Sequence, residues 1–224
     1  MPRLAPVCLA CFFLLTSGRP VRAAAPGHDF ARWESEVAAY EAQDRLSPPP
    51  PGALLFAGSS TIRMWTTLAA DFPGYAVVNR GFGGTEIVDS THFAGRLIFP
   101  HAPKVIYFRA GGNDLHNGKT PSQVLADFKD FIAVIHARLP KTDIWFIAWN
   151  PSIARLKETA ALHELNTLVH DYVRWKRRLH YLDAESVSLD AAGQVRRELF
   201  LGDQLHFNAA GYRLLAERVR PYLP

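Results

Sequence analysis

Four short segments carry side chains suited to acyl chemistry at a carbonyl: Gly58-Ser59-Ser60-Thr61, Asn79-Arg80-Gly81-Phe82-Gly83-Gly84-Thr85, Gly111-Gly112-Asn113-Asp114 and Asp203-Gln204-Leu205-His206. A serine hydroxyl is a weak nucleophile until a base takes its proton, so Ser60 needs an imidazole within hydrogen-bond reach. His206 suits that task, because an imidazole accepts a proton near neutrality and can return it to a leaving group. Asp203, three residues earlier, can curl onto the other ring nitrogen, fix its tautomer and stabilise the imidazolium. The tetrahedral intermediate carries a negative oxygen, which needs preorganised donors. Three are at hand: the Ser60 N–H at a turn opening a helix, the Gly84 N–H where no side chain blocks approach, and the Asn113 amide.

The elements that must position these groups can be read from the apolar pattern. Continuous apolar runs at 53–57, 75–78, 105–108, 144–149 and 180–182 have the length of strands buried on both faces. Helical patterns lie around and between them. Residues 29–46 space Phe30, Trp33, Val37 and Tyr40 on one side behind Asp29 as a cap, and four prolines at 48–51 end the helix. Thr120-Pro121-Ser122-Gln123 is a capping box opening a helix to Leu139. Residues 158–178 carry Leu162, Leu165, Leu168 and Tyr172 on one stripe, and Asn208 caps a last helix to Arg220. This alternation predicts a parallel sheet with helices on both faces, in one α/β domain over residues 26–224. Sites in such sheets form outside the carboxyl ends of the strands, which is where the four segments are expected.

Taken in order, these blocks resemble the SGNH (GDSL-type) hydrolase family. Leu55-Phe56-Ala57-Gly58-Ser59-Ser60 with Trp65 is similar to its first block, Asn79-Arg80-Gly81-Phe82-Gly83-Gly84 to its second, Gly112-Asn113-Asp114 to its third, and Asp203 with His206 to its last. The resemblance spans roughly residues 53–220. It implies a flavodoxin-like three-layer αβα sandwich on a five-stranded parallel sheet, and hydrolysis of acyl esters without metal or cofactor. It also implies Ser60 as nucleophile, His206 as base, Asp203 as its orienter, and Gly84 and Asn113 as oxyanion donors beside Ser60 N–H. Ser59 stands where the family has an acidic residue, and Thr61 where it has leucine. Alignment to the block selects Ser60 over the adjacent hydroxyl, and the swap bears on loop hydrogen bonding. The expected substrate is a small-molecule ester: a short-chain acyl ester, an acetylated sugar or a lysophospholipid. An acyltransferase resolving the same acyl-enzyme with an alcohol, or a non-catalytic secreted domain binding glycan or cell-wall polymer, are the alternatives. The α/β-hydrolase elbow G-x-S-x-G fails at Ile62, and the dinucleotide fingerprint fails at Glu86.

Composition narrows the setting. Residues 1–25 read as an export signal, with Arg3 ahead of an apolar run from Leu4 to Leu15 and small residues around Ala23. That run is short of the ~20 residues that cross a bilayer, so no membrane insertion is expected after cleavage. The expected location is periplasmic or extracellular. The full chain has a formal charge of +4, but without Arg3, Arg19 and Arg22 it holds 22 basic against 21 acidic residues. The case for a nucleic-acid partner disappears with them. Both cysteines, Cys8 and Cys11, also fall in the signal. His92, His101 and His116 lack metal-ligand spacing and read as surface or loop residues. Arg174-Trp175-Lys176-Arg177-Arg178 reads as a solvated helix end. Trp145, Phe146 and Trp149 read as core, Asp114 as a brace for its loop, and Asn150 and Arg155 as candidates to line the cleft. Nothing in the sequence specifies an oligomeric state.

Overall fold

The computed structural model describes residues 27–224, so the expected export signal lies outside the described residues. Strands β1 (Leu54–Gly58), β2 (Val77–Gly81), β3 (Val105–Arg109), β4 (Asp143–Ile147) and β5 (Leu179–Leu182) pair in parallel in the order β2-β1-β3-β4-β5. Every residue of β1 and β3 is buried, as continuous apolar runs at the middle of a parallel sheet require. Side chains alternate between two cores. Leu55, Ala57, Ile106 and Phe108 face one layer, while Leu54, Phe56, Val105 and Tyr107 face the other.

Helices α1 (Glu34–Leu46), α7 (Pro121–Arg138) and α8 (Thr159–Val173) cover the first face through Val37, Phe131 and Leu165. Helix α9 (Ala209–Val219) covers the second through Tyr212, Leu215 and Val219. The expected caps are formed. Gln123 N–H donates to Thr120 Oγ1 at 3.3 Å and Thr120 N–H to Gln123 Oε1 at 2.8 Å. Asn208 Oδ1 accepts from the N–H groups of Ala210 and Gly211. Asp29 caps a 3-10 turn, Phe30–Trp33, that leads into α1. Among the described residues no helix is long and apolar enough to cross a membrane.

Several boundaries differ from the sequence pattern. β2 begins at Val77 and continues through Asn79 and Arg80 to Gly81, because those polar side chains find partners. Arg80 pairs with Asp44, and Asn79 Nδ2 donates to the Ile62 carbonyl at 2.6 Å. β4 stops at Ile147, and Trp149 turns out of the sheet. The expected 158–178 helix ends at Val173, with Arg174 as its cap, and is preceded by a 3-10 turn, Ile153–Glu158. Short helices α2 (Ser60–Arg63), α3 (Leu68–Asp71), α4 (Ile87–His92), α5 (Ala94–Leu97) and α6 (Gly112–His116) fill stretches with no helical period to read.

At the carboxyl end of β1 the chain turns sharply at Gly58, whose φ is +137°. A Cβ there would sit 2.0 Å from the Arg109 carbonyl oxygen. We expect Gly58→Ala to destabilise the fold by roughly 3 kcal/mol, positive-φ strain adding to a backbone clash. Urea unfolding checks this, and a loss under about 1 kcal/mol would contradict the close approach.

Candidate active site

Ser60 is the first residue of α2, directly after the β1 turn, with its hydroxyl partly exposed on the sheet's carboxyl rim. Its Oγ lies 2.9 Å from His206 Nε2, and His206 Nδ1 lies 2.6 Å from Asp203 Oδ2. With Nδ1–H donating to Asp203, Nε2 is left to accept from the Ser60 hydroxyl, a tautomer assigned from this network. The other Asp203 oxygen accepts the N–H groups of Leu205 and His206, each at 3.0 Å. Desolvation pushes the Asp203 carboxyl up, but hydrogen bonds from the His206 ring and these two N–H groups outweigh it and hold the pKa at about 2.

The loop bearing this pair is pinned at its base. Phe200 and Phe207 form an antiparallel bridge, and Leu201 N–H donates to the His206 carbonyl at 2.8 Å. Ser59, by contrast, is fully buried, and its Oγ has no partner among the described residues. Of the two adjacent hydroxyls, only Ser60 meets the imidazole.

The second and third loops converge beside Ser60. Phe82 N–H donates to the Gly58 carbonyl, so the β2 loop runs along the end of β1. The first helical segment holds that loop's carbonyls from outside: Trp33 Nε1–H donates to Gly83 O at 2.7 Å and Tyr40 O–H to Gly81 O at 2.5 Å. Gly84 has φ +73°, which favours glycine, and its N–H donates to no other described residue, nor does that of Ser60. Asn113 Nδ2 donates to the Thr85 carbonyl at 2.9 Å, joining the two loops and leaving its second N–H available. Its Oδ1 accepts from Arg155 Nη2 at 3.0 Å, while Arg155 Nη1 donates to the Gly112 carbonyl at 3.1 Å. Arg155, guessed from sequence as a cleft residue, thus fixes the orientation of the Asn113 amide.

Beneath these loops lies a buried ionic cluster. Lys119 Nζ reaches Glu86, Asp114 and Asp127 at 2.7, 2.9 and 2.6 Å. Asp114 is wholly buried and accepts the Ile87 N–H at the start of α4, so it braces the Gly84 and Asn113 loops together. Burial raises its pKa to about 6 despite the opposing pull of Lys119. Lys119 is itself raised, its three carboxylates overcoming the lowering effect of burial.

A pocket opens beside the hydrogen-bonded chain, lined by Thr61, Leu205 and Phe207, the chain neighbours of Ser60 and His206. Trp149, which the sequence suggests as core, packs against the first core and also forms part of this wall, its ring stacking on the Arg109 guanidinium. Asn150 and Arg155 line the same pocket. Phe146 is core, as expected, and Trp145 packs partly buried against Tyr222 on the second face. His101 corrects another expectation, being buried between Arg80 and Asp44, where its partners offset the cost of burial. His92 stacks on Phe30, and His116 pairs with Glu158 at the surface. No cluster able to hold a metal ion exists among the described residues. Arg109 escaped sequence reasoning, although an arginine closing the apolar run Val105-Ile106-Tyr107-Phe108 was its signal.

Comparison with known proteins agrees with this architecture. The GDSL-like Lipase/Acylhydrolase family matches residues 50–214. No curated protein matches the chain. A Streptococcus pneumonia structure described in terms of platelet activating factor is 20% identical over 87% of this chain and 94% of its own, with a TM-score of 0.75. A GDSL-like lipase from Bacteroides thetaiotaomicron is 14% identical over 87% and 96%, with a TM-score of 0.68. A catalytic mutant of an acetylxylan esterase from Geobacillus stearothermophilus is 13% identical over 76% and 94%, with a TM-score of 0.61. At such identities the likeness to these structures establishes the three-layer α/β fold.

Proposed function

Since the chain belongs to the GDSL-like lipase/acylhydrolase family, we propose that it is an exported serine esterase acting on small or medium acyl esters through Ser60, His206 and Asp203. The observation that carries the reading is the continuous chain from Ser60 Oγ through His206 to Asp203, with contacts of 2.9 and 2.6 Å. Ser60 Oγ attacks the ester carbonyl as its proton passes to His206 Nε2. Charge developing on the carbonyl oxygen is met by the N–H groups of Ser60 and Gly84 and the free Asn113 amide hydrogen. The tetrahedral intermediate collapses as His206 returns its proton to the departing alcohol, leaving an acyl-serine. A water then gives its proton to His206, attacks the acyl carbon, and the acid departs as Ser60 is restored.

Asp203 stays ionised down to about pH 2. Its depressed pKa favours the folded chain above the unfolded carboxylate value of ~3.9, a contribution lost as pH falls through the folded value. Between pH 4 and neutrality this carboxylate does not titrate, so no part of an acid fall in kcat/KM over that range should come from Asp203, whereas the buried Asp114, with a pKa of about 6, does titrate there. An infrared or NMR titration that protonates the Asp203 carboxylate above about pH 4 would contradict this.

Arg155 supports the reading by holding Asn113. Arg155→Gln should lower kcat by roughly ten- to a hundredfold with a smaller change in KM, since the amide acts on charge present only in the transition state. Arg155→Lys should recover part of the loss. Equal effects on kcat and KM from both variants would contradict a role through Asn113.

Short-chain acyl esters, acetylated sugars and lysophospholipids are the candidate substrates, the second class being favoured by the acetylxylan esterase sharing the fold. The test is hydrolysis of para-nitrophenyl acetate and butyrate by the purified mature protein, beside acetylated sugars. Release of acid from any of them supports the esterase; glycan binding without hydrolysis of any ester points to the non-catalytic alternative. Transfer of the acyl group to an added alcohol in preference to water would make it an acyltransferase. N-terminal sequencing of the exported protein, expected to begin near Ala24 to Pro26, tests the signal.

A further inference from the structure

The pocket beside Ser60 contains two guanidinium groups without a carboxylate hydrogen-bonded to either. Arg109 closes β3, is 1% exposed, and stacks with its Cζ 4.5 Å from the centre of the Trp149 ring. Its Nη1 donates to the Ala148 carbonyl and its Nη2 to Asn150 Oδ1, both neutral oxygens. Its Nε is buried and has no partner, and no Asp or Glu among the described residues pairs with it. Arg155 likewise hydrogen-bonds only the neutral oxygens of Gly112 and Asn113. Its nearest carboxylate, Glu158, stands 4.0 Å from Nε and turns its other oxygen to His116 at 2.7 Å. Beyond these the wall is apolar at Leu115, Trp149, Leu162 and Phe207 and polar at Thr61 and Ser152, and Glu158 is the one carboxylate among the described residues that lines it.

Burying a guanidinium without a counter-charge is among the most costly arrangements in a protein. Burial lowers the Arg109 pKa to about 9, which still leaves it a cation at neutral pH. A cation set in an apolar wall acts through a low local dielectric, so it attracts an anion more strongly than a solvated lysine does. Such a group, in the wall of the pocket beside Ser60, can select charge.

We propose that this pocket recognises an anionic group carried by the ester substrate, a carboxylate or a phosphate close to the scissile bond, with Arg109 as the principal source of the attraction. The inference rests on the esterase reading and narrows it to acidic esters. Guanidinium donors match either anion in geometry, so the two sources must be separated by experiment.

Two matched pairs do this: the half-ester mono-para-nitrophenyl adipate against para-nitrophenyl hexanoate, and acetylglycerol phosphate against acetylglycerol. For the wild-type protein, the charged member of at least one pair should have a kcat/KM about tenfold or more above its neutral partner. The pair showing the preference identifies the anion. In Arg109→Gln that ratio should fall toward unity, and Arg109→Lys should retain part of it. A purely structural role for Arg109 lowers both members of a pair alike and leaves the ratio unchanged, which overturns the proposal. So does a wild-type protein that hydrolyses the neutral member of both pairs as well as the charged one; if the variants do not fold, this wild-type ratio decides alone. Silence on all four esters overturns the esterase reading itself, a distinguishable failure.

Discussion

Replacing Ser60 with alanine is expected to lower kcat/KM on simple esters by roughly ten-thousand- to million-fold, as loss of a nucleophile does when it acts as a unit with its base. The side chain lost is one hydroxyl at the partly exposed start of α2, whose partner is the His206 ring. Stability should therefore change by less than about 1 kcal/mol, as for other surface substitutions. His206→Ala should cost a comparable factor, and the double variant little more than either single one, because each removal disables the same step. Ser59→Ala provides the internal control: that hydroxyl is buried and makes no hydrogen bond among the described residues. It should leave the rate within about threefold of wild type, since no polar partner is orphaned. Rates from initial velocities, with circular dichroism to check the fold, decide the matter. Loss concentrated in Ser59→Ala would transfer the nucleophile to the neighbouring residue.

The second large effect concerns stability. Lys119→Met should destabilise the protein by about 3–5 kcal/mol, the range for removing one partner from a buried ionic cluster. For a domain of this size that corresponds to roughly 10 °C in Tm. The reason is local: the ammonium serves Glu86, Asp114 and Asp127 together, and without it the wholly buried Asp114 faces Glu86 uncompensated. The deficit should depend on pH. The folded pKa of Asp114, about 6, lies above the unfolded value of ~3.9. Its contribution is fully present below the unfolded value and is lost as pH rises through the folded one. A protonated Asp114 has no need of the cation, so the penalty of Lys119→Met should be smaller near pH 5 than near pH 7.5. Urea midpoints at both pH values test this, and a penalty that grows on acidification would contradict the assignment. Because Asp114 also holds the Ile87 N–H, the variant should lose activity as the Gly84 and Asn113 loops loosen.

The parts of the molecule that were legible in the sequence share a physical cause. β1 and β3 are central strands of a parallel sheet, so both faces are buried and the residues are apolar up to Arg109, which closes β3. The caps at Thr120 and Asn208 are local, with donor and acceptor a few residues apart. Asp203 and His206 form a local pair for the same reason. The bounds of β2 were misread because Asn79 and Arg80 sit in a strand, their polarity satisfied by Ile62 and by Asp44. His101 looked like a surface residue because its neighbours Arg80 and Asp44 come from other elements. Trp149 packs against the first core as its apolarity suggests, but that apolarity does not reveal that the ring also walls the pocket. The clasp between Arg155 and Asn113 joins residues 42 positions apart, and no pattern within either loop announces it. Arg109 was visible only as a charge at the end of an apolar run.

The central claim, that Ser60 is a nucleophile activated by His206, is tested most directly by covalent trapping. The purified protein is treated with a fluorophosphonate, which phosphonylates activated serines, and followed by intact mass and peptide mapping. The account predicts one adduct per chain, mapped to Ser60, absent from Ser60→Ala and greatly slowed in His206→Ala. No adduct on a folded wild-type protein, or an adduct that persists in Ser60→Ala, would contradict it.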